Sequence, residues 1–424
     1  MKSTSIEMAK KILILGGSHF QIPVINYARL VGYYVITCDF LPENPGHKLA
    51  DEYHNVSTTD LESVLALSIR LKIDGILAYA SDPAAPTAAY VSEKLGLPGN
   101  PYEGVRIMAN KDLYRAFLAR HGFGSPKAIA GITLGSPPSA LATLNFPVMV
   151  KPVDSSGSKG VSKIDAVDGL LSAVEYAVQF SRAKRVVVEE FIHRIGPQIG
   201  GEAFVVDGKL VFICLGDQLS DAACNPYVPS GMTFPSQIAP DLAEKIADEL
   251  QRLLTALQFW TGGLNLEIML DNHAQIFLME VGPRTGGNFL PELVGHATDL
   301  NLAALSVESA VGRSMVKLFP VARSRVPRSG FAYYAIHSAH SGILNALHID
   351  PLIRTCILEL HQFVPVGSPV QAYHGSNCTI GILLMKFSSP AEMRERMSLI
   401  ASYVTVEVAP PSTANETLAP APKP

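Results

Sequence analysis

Two apolar runs, residues 264–270 and 276–281, carry one glutamate each, Glu267 and Glu280, and the polar stretch 271–275 separates them. This pattern constrains the fold more than any other in the chain, because a short strand–turn–strand unit admits few registers. With the turn centred between His273 and Ala274, Glu267 and Glu280 become direct cross-strand neighbours, and Asn265 stands opposite Gly282. Opposed side chains on one sheet face have Cβ atoms about 4.5 to 5.5 Å apart, and like charges there repel. A solvated edge tolerates that pair; a buried one needs a cation. Mg2+ suits it, because that ion takes oxygen ligands, commonly one or two carboxylates together with substrate phosphates. Residues 282–288, Gly-Pro-Arg-Thr-Gly-Gly-Asn, then place a fixed cation, Arg284, in a glycine-rich bend.

The chain has 424 residues, more than one hydrophobic core usually supports, so two or three domains are expected. Net charge is only −4, from 34 basic and 38 acidic residues, which argues against nucleic acid as a partner while allowing a local basic pocket. The 5 cysteines are scattered and lack metal-ligand spacing, which suits a reducing compartment. No run approaches the ~18 apolar residues of a membrane span, and no leader pattern opens the chain. A cytoplasmic protein with no membrane partner is expected.

Residues 11–15 read as a buried strand ending in Gly16-Gly17, 34–38 as a second ending in Asp39, and 75–79 as a third preceded by a helix over 61–71. Strands alternating with helices predict a parallel sheet whose ligands lie beyond the strand ends, near Gly17, Ser18, His19, Asp39 and Asp82. Asn110 is the expected N-cap of a helix that begins with Lys111 and ends at Gly122. A strand over 147–151 leads through Lys151 into a small-residue loop holding Ser155, Ser156, Gly157, Ser158 and Gly160. A helix over 169–181, a strand over 185–191 and a hairpin turning at Asp207-Gly208 follow. Asp241 and Glu244 resemble a capping box opening a helix that runs to about Gln258. Beyond a helical run over 301–311, short strands over 331–336, 355–360 and 379–385 and a helix near 390–401 suggest a small α+β module. The Pro/Ala/Thr tail over 410–424 is expected to be disordered.

Small residues let backbone N–H groups approach phosphate oxygens, and adjacent lysines add positive charge. The 155–160 loop fits that description without being a Walker loop, whose spacing is absent. Lysine is rarely inside unless paired, so Lys151 at the end of an apolar strand stands out, with an edge-strand position as the plainer reading. Glu189, Glu190, Phe191 and Ile192 close an apolar strand whose backbone can pair with a purine edge, and Glu202 can accept ribose hydroxyl protons.

Taken in order, Asn110-Lys111, Val148 to Lys151, the 155–161 loop, Glu189-Glu190-Phe191, Glu202, Leu266-Glu267 and the 280–287 run resemble the ATP-grasp superfamily over roughly residues 10–310. The likeness is to the branch holding carbamoyl phosphate synthetase halves, biotin carboxylase and purine-pathway carboxylate–amine ligases. It implies an ATP-grasp fold, α/β and α+β in class, with a Rossmann-like parallel-sheet domain over 1–104, a nucleotide-binding domain over 105–312 and an α+β domain over 313–409. It further implies that Lys111, Lys151 and the 155–160 loop bind ATP phosphates, and that Glu189, Glu190, Phe191, Ile192 and Glu202 bind adenosine. Glu267 and Glu280 would hold Mg2+ (or Mn2+), and Arg284 the substrate carboxylate. The family usually has asparagine where this chain has Gly282, so Asn265, Asn288 or a water is expected to fill that metal position. The implied reaction activates a small-molecule carboxylate as an acyl phosphate and passes it to an amine, in a chain that can form a homodimer. Two other readings compete: a catalytically silent ATP-binding module, and an NAD(P)-dependent oxidoreductase built on Gly16-Gly17 and Asp39. His296 is expected near the substrate or, more simply, in helix packing.

Overall fold

A computed structural model describes residues 9–135, 141, 143–313 and 326–410. The reading of the tail beyond Ala409 lies almost wholly outside these residues. Four strands, β1 (Lys11–Leu15), β2 (Tyr34–Cys38), β3 (Glu52–His54) and β4 (Gly75–Ala78), form a parallel sheet ordered β3-β2-β1-β4. Ile12 to Leu15 are wholly buried, because helices cover both faces and leave no side of the strand for water. Asp60 caps the helix Leu61–Leu71 by accepting from the Ser63 N–H at 3.1 Å.

A second, antiparallel sheet is ordered β5-β8-β6-β7, from β5 (Ala128–Ile132), β6 (Val148–Pro152), β7 (Ser162–Ile164) and β8 (Val186–Glu190). The helix Leu170–Gln179 packs on it through Ala173, Val174 and Ala177. A third sheet begins with β9 (Ile199–Val206), β10 (Lys209–Asp221), β11 (Asn225–Phe234), β12 (Gly262–Leu270) and β13 (Ile276–Gly282). It continues without a break into β14 (Gly330–Ile336), while β15 (Gly342–Ile349) leaves for a small separate sheet. With β16 (Ile357–Gln362), β17 (Pro369–Val370), β18 (Gly381–Phe387) and β19 (Val404–Ala409), the large sheet is ordered β13-β12-β9-β10-β11-β14-β18-β16 and the small one β17-β15-β19. The eight-stranded sheet therefore crosses residue 313.

Asp207 and Gly208 both have positive φ, 51° and 76°, as a two-residue hairpin between right-twisted strands requires. Behind this sheet runs the helix Pro240–Ala256, burying Ile246, Ala247, Leu250, Leu253 and Leu254 at helical spacing. Its start corrects the capping-box expectation: Ala239 is the N-cap, Pro240 supplies the preset first turn, and no side chain caps it.

Candidate functional site

The 4-stranded antiparallel sheet and the large sheet face each other across a cleft of about 320 Å³. On the large-sheet side, β12 and β13 pair antiparallel with Glu267 opposite Glu280 and Asn265 opposite Gly282, the register read from the sequence. A bulge between Glu267 and Ile268 shifts the register by one residue toward the turn, so Ile268 meets Leu278. Burial pushes the Glu267 carboxyl above the usual range, and the Glu280 charge adds to that. Gln198 donates to Glu267 Oε2 at 3.1 Å.

Lys111 opens the helix Lys111–Arg120, whose first-turn N–H of Lys111 is held by the Val153 carbonyl at 2.8 Å. Its ammonium lies 3.1 Å from Glu280 Oε2 and 2.9 Å from the Ser155 carbonyl. Asn110 occupies the N-cap position, but its side chain makes no cap bond there; its amide donates back to Arg106 O at 2.8 Å.

Lys151 reaches into the cleft from β6 and bonds Glu189 Oε1. Arg115 takes the other oxygen at 2.7 Å and donates to the Met279 carbonyl at 2.8 Å. Burial alone would raise the Glu189 carboxyl; Arg115 and Lys151 outweigh it and hold the group down at about 2. Glu189 is thus a buried counter-ion at the cleft wall, with each oxygen already held by a protein cation. Glu190 turns its carboxylate to Asn145, accepting from the backbone N–H at 2.9 Å and the side-chain amide at 3.0 Å. Phe191 and Ile192 line the cleft, with Met149, Val161, Leu219, Met269 and Met279 as apolar walls suited to a flat ring.

Ser155, Ser156, Gly157 and Ser158 line the cleft, whereas Gly160 does not. Gly157 (φ 68°) sits where a Cβ would lie 2.1 Å from Ser376 Oγ, and Ser158 Oγ donates to the Tyr227 carbonyl at 2.8 Å. Gly160 has a packing reason instead: a Cβ there would come within 2.9 Å of both Phe180 and Pro152.

Two other expectations need correction. Glu202 is fully buried on β9 opposite Asn265, outside the cleft lining. Its Oε1 accepts from the Gly286 N–H at 2.8 Å and Asn265 Nδ2 at 3.0 Å, and its Oε2 has no partner among the described residues. Burial raises this carboxyl to about 8. The cleft-lining residue of that segment is Gln198, which immediately precedes β9. Asn288, with φ 57°, bonds the Tyr333 hydroxyl and does not reach the cleft. Asn265 does line the cleft: its amide nitrogen is held by Glu202 and by Gly201 O at 3.3 Å, and its Oδ1 is the atom that a metal would take.

Arg284 forks onto Asp82: Nε donates to Oδ1 at 2.7 Å and a terminal nitrogen to Oδ2, while Nη1 bonds Thr285 O at 2.8 Å. This pair accounts for Gly282, since a Cβ there would lie 3.1 Å from Asp82 Oδ1 and 3.5 Å from the Arg284 guanidinium carbon. An asparagine would crowd it.

Of the other first-domain candidates, Ser18 caps the short helix His19–Gln21 with Gln21 as its partner, and the His19 ring packs tilted against Phe363 with centroids 5.0 Å apart. A Cβ on Gly17 would strike the His47 ring at 2.1 Å, so this glycine serves packing. Asp39 spends both oxygens inside its own loop, on Leu41 N at 3.2 Å and Asn44 Nδ2 at 2.9 Å, presenting none to a ribose. His296 bonds Glu359 at 2.7 Å. The residue missed in the sequence is Arg115. Its signal was its i,i+4 spacing from Lys111, which puts two cations on one helix face.

No helix among the described residues is long and apolar enough to cross a membrane. Residues 136–287 match the family described as D-ala D-ala ligase C-terminus. The chain is 26% identical to an uncharacterized protein y4rH of Sinorhizobium fredii, with 75% of this chain and 66% of that one covered. It is 25% identical to a formate-dependent phosphoribosylglycinamide formyltransferase of Bacteroides thetaiotaomicron, covering 75% and 84%. The crystal structure of an L-amino acid ligase from Bacillus licheniformis superposes with a TM-score of 0.78 at 21% identity, covering 94% of this chain and 99% of the other.

Proposed function

We propose, for a chain that carries the ATP-grasp fold, an ATP-dependent ligase that activates a carboxylate as an acyl phosphate and transfers the acyl group to an amine, releasing ADP and phosphate. The observation that carries this reading is the directly opposed pair Glu267 and Glu280 at the floor of a cleft into which Lys111 and Lys151 reach. Two paired carboxylates form a hard oxygen donor set, and the upward push on Glu267, from burial first and from Glu280 second, supports a cation there. Glu267 and Glu280 are the residues that would hold magnesium, which when bound supplies charge neutralisation to the triphosphate. Mn2+ fits the same donors.

A carboxylate oxygen attacks the γ-phosphorus of ATP, the bond to the β–γ bridging oxygen breaks, and ADP leaves; the amine then attacks the acyl carbon and displaces phosphate. Positioning and charge stabilisation are what a protein contributes to such a transfer. Lys111 and Lys151 supply fixed positive charge at the phosphates, and Ser155 to Ser158, already leaning on Tyr227 and Ser376, cover them against water. Phe191, Ile192 and the methionines hold the base. Arg284 supplies the fork for the substrate carboxylate, at a place where Asp82 already shows how such a group docks. Asp82 lines the cleft from the first-domain side, where the second substrate would enter. The domain limits 1–104, 105–312 and 313–409, a cytoplasmic location and a homodimer belong to the same proposal.

Glu280→Gln is expected to reduce substrate-dependent ADP release by at least roughly a hundredfold while the thermal unfolding midpoint stays within a few degrees. ADP release at the wild-type rate would overturn the assignment. A panel of carboxylates against amines, read by ADP release, identifies the substrates; turnover with none of them favours a silent ATP-binding module.

A further inference from the structure

We infer that Asp221, Cys224 and His337 form a binding site for a zinc-class divalent ion, separate from the Glu267–Glu280 pair. One oxygen of Asp221, the Cys224 sulfur and a ring nitrogen of His337 all lie within 4.8 Å of one another. A tetrahedral ion with bonds of about 2.0 to 2.3 Å separates its ligand atoms by about 3.3 to 3.8 Å, so small side-chain movements suffice. Asp221 and Cys224 flank the tip of the β10–β11 hairpin, and His337 follows β14 directly.

The hydrogen bonds determine which chemistry the cluster can perform. His337 Nδ1 faces the Ala335 carbonyl at 2.7 Å, and a carbonyl only accepts, so Nδ1 carries the proton. In a neutral ring Nε2 then presents a lone pair, and it faces Asp221 Oδ2 at 3.1 Å. These two atoms require a positive charge between them, a proton in the metal-free ion pair or the metal ion that displaces it. Such a backbone bond to the far nitrogen is also how metal-ligating histidines are oriented. Stacking on Tyr373, with ring centroids 4.2 Å apart, fixes the ring further. Asp221 divides its labour, since Oδ1 accepts from the Ala223 N–H at 2.9 Å and leaves Oδ2 for the cluster. A nucleophilic Cys–His–Asp arrangement needs the ring to bridge thiol and carboxylate through its two nitrogens. Here one nitrogen is committed to the backbone, so the three groups converge as ligands and not as a relay.

The site has a consequence for the cleft. Pro226 and Tyr227 in the same hairpin line it, and the Tyr227 carbonyl receives the Ser158 hydroxyl. An ion on Asp221, Cys224 and His337 would pin the hairpin tip to the end of β14 and so steady the wall on which the serine–glycine loop rests.

The full chain, stripped with a chelator, reloaded with Zn2+ and desalted, is expected to retain about one ion per chain by elemental analysis. Cys224→Ser and His337→Gln should each lose most of it, and Glu280→Gln should keep it, which separates this site from the one proposed for magnesium. Reloading with Co2+ should give a thiolate-to-metal charge-transfer band that vanishes in Cys224→Ser. Cys224 lies at a partly exposed hairpin tip, so that variant is read on folded protein even if His337→Gln unfolds. Wild-type protein that retains no zinc, or Cys224→Ser that retains as much as wild type, would overturn the proposal.

Discussion

Glu189 and Glu202 are both out of contact with water, both lie on strands, and both read from sequence as adenosine ligands, yet the protein treats them in opposite ways. Glu189 sits between Arg115 and Lys151 and is held at about 2; Glu202 meets no cation directly, leaves one oxygen unpartnered, and rises to about 8. Burial penalises the charged form in both places. The partners decide which glutamate stays an anion and which becomes a neutral hydrogen-bonding group.

The largest test of this contrast is removal of the anion. Glu189→Ala leaves Arg115 buried with only the Met279 carbonyl, and breaking a buried pair in this way costs about 3 to 5 kcal/mol. Urea unfolding at neutral pH should show that loss; a change below about 1 kcal/mol would mean that the ion pair is not held in solution.

The pH dependence separates the two residues by sign. Glu189 has its folded value below the unfolded one of about 4.5, so its contribution is complete above that value and is lost as pH falls toward 2. Glu202 has its folded value above, so its contribution is complete below about 4.5 and is lost as pH rises through 8. Glu292, raised to about 7 by burial, and Glu267 act in the same direction as Glu202. Stability should therefore decline by a few kcal/mol between pH 5 and pH 9 (roughly), and a flat profile by urea midpoint would contradict the assigned shifts. Lys151→Ala is a smaller perturbation, because Arg115 still neutralises Glu189. It should weaken nucleotide binding by roughly tenfold, about 1.4 kcal/mol, in a calorimetric titration; unchanged affinity would remove Lys151 from the phosphate site.

The contrast also shows what the sequence could and could not reveal. The Glu267–Glu280 register, the Asp207-Gly208 turn and the limits of the helix Leu61–Leu71 follow from local pattern, and the structure has them. Strand alternation places Gly200 and Glu202 on one face of β9. What alternation cannot say is how far along that face the cleft extends. Two rungs beyond Glu267, roughly 7 Å, the Arg284-to-Gly286 turn folds over Glu202 and seals it, a tertiary contact with no local signal. The ion pair of Glu189 was hidden for a related reason: Arg115 lies 74 residues earlier in the chain, and only the fold brings the two together. Sequence located the strand ends that build the site, while long-range ion pairing decided which acids were left free.

The smallest effect is the most discriminating. Glu202→Gln preserves the oxygen that accepts from Gly286 and Asn265 and places an amide where the second, unpartnered oxygen now lies. If Glu202 is a neutral acid at pH 6, one buried O–H is exchanged for one buried NH2, and stability should change by less than about 1 kcal/mol. At pH 9 the wild-type carboxyl must either ionise in a buried site or hold its proton against the solvent, whereas glutamine does neither, so the variant should become the more stable protein. A crossing of the two stability profiles between those pH values is the expected result. Parallel profiles would show that Glu202 is ionised throughout, and the distinction between the two glutamates would then rest on something other than their charge partners.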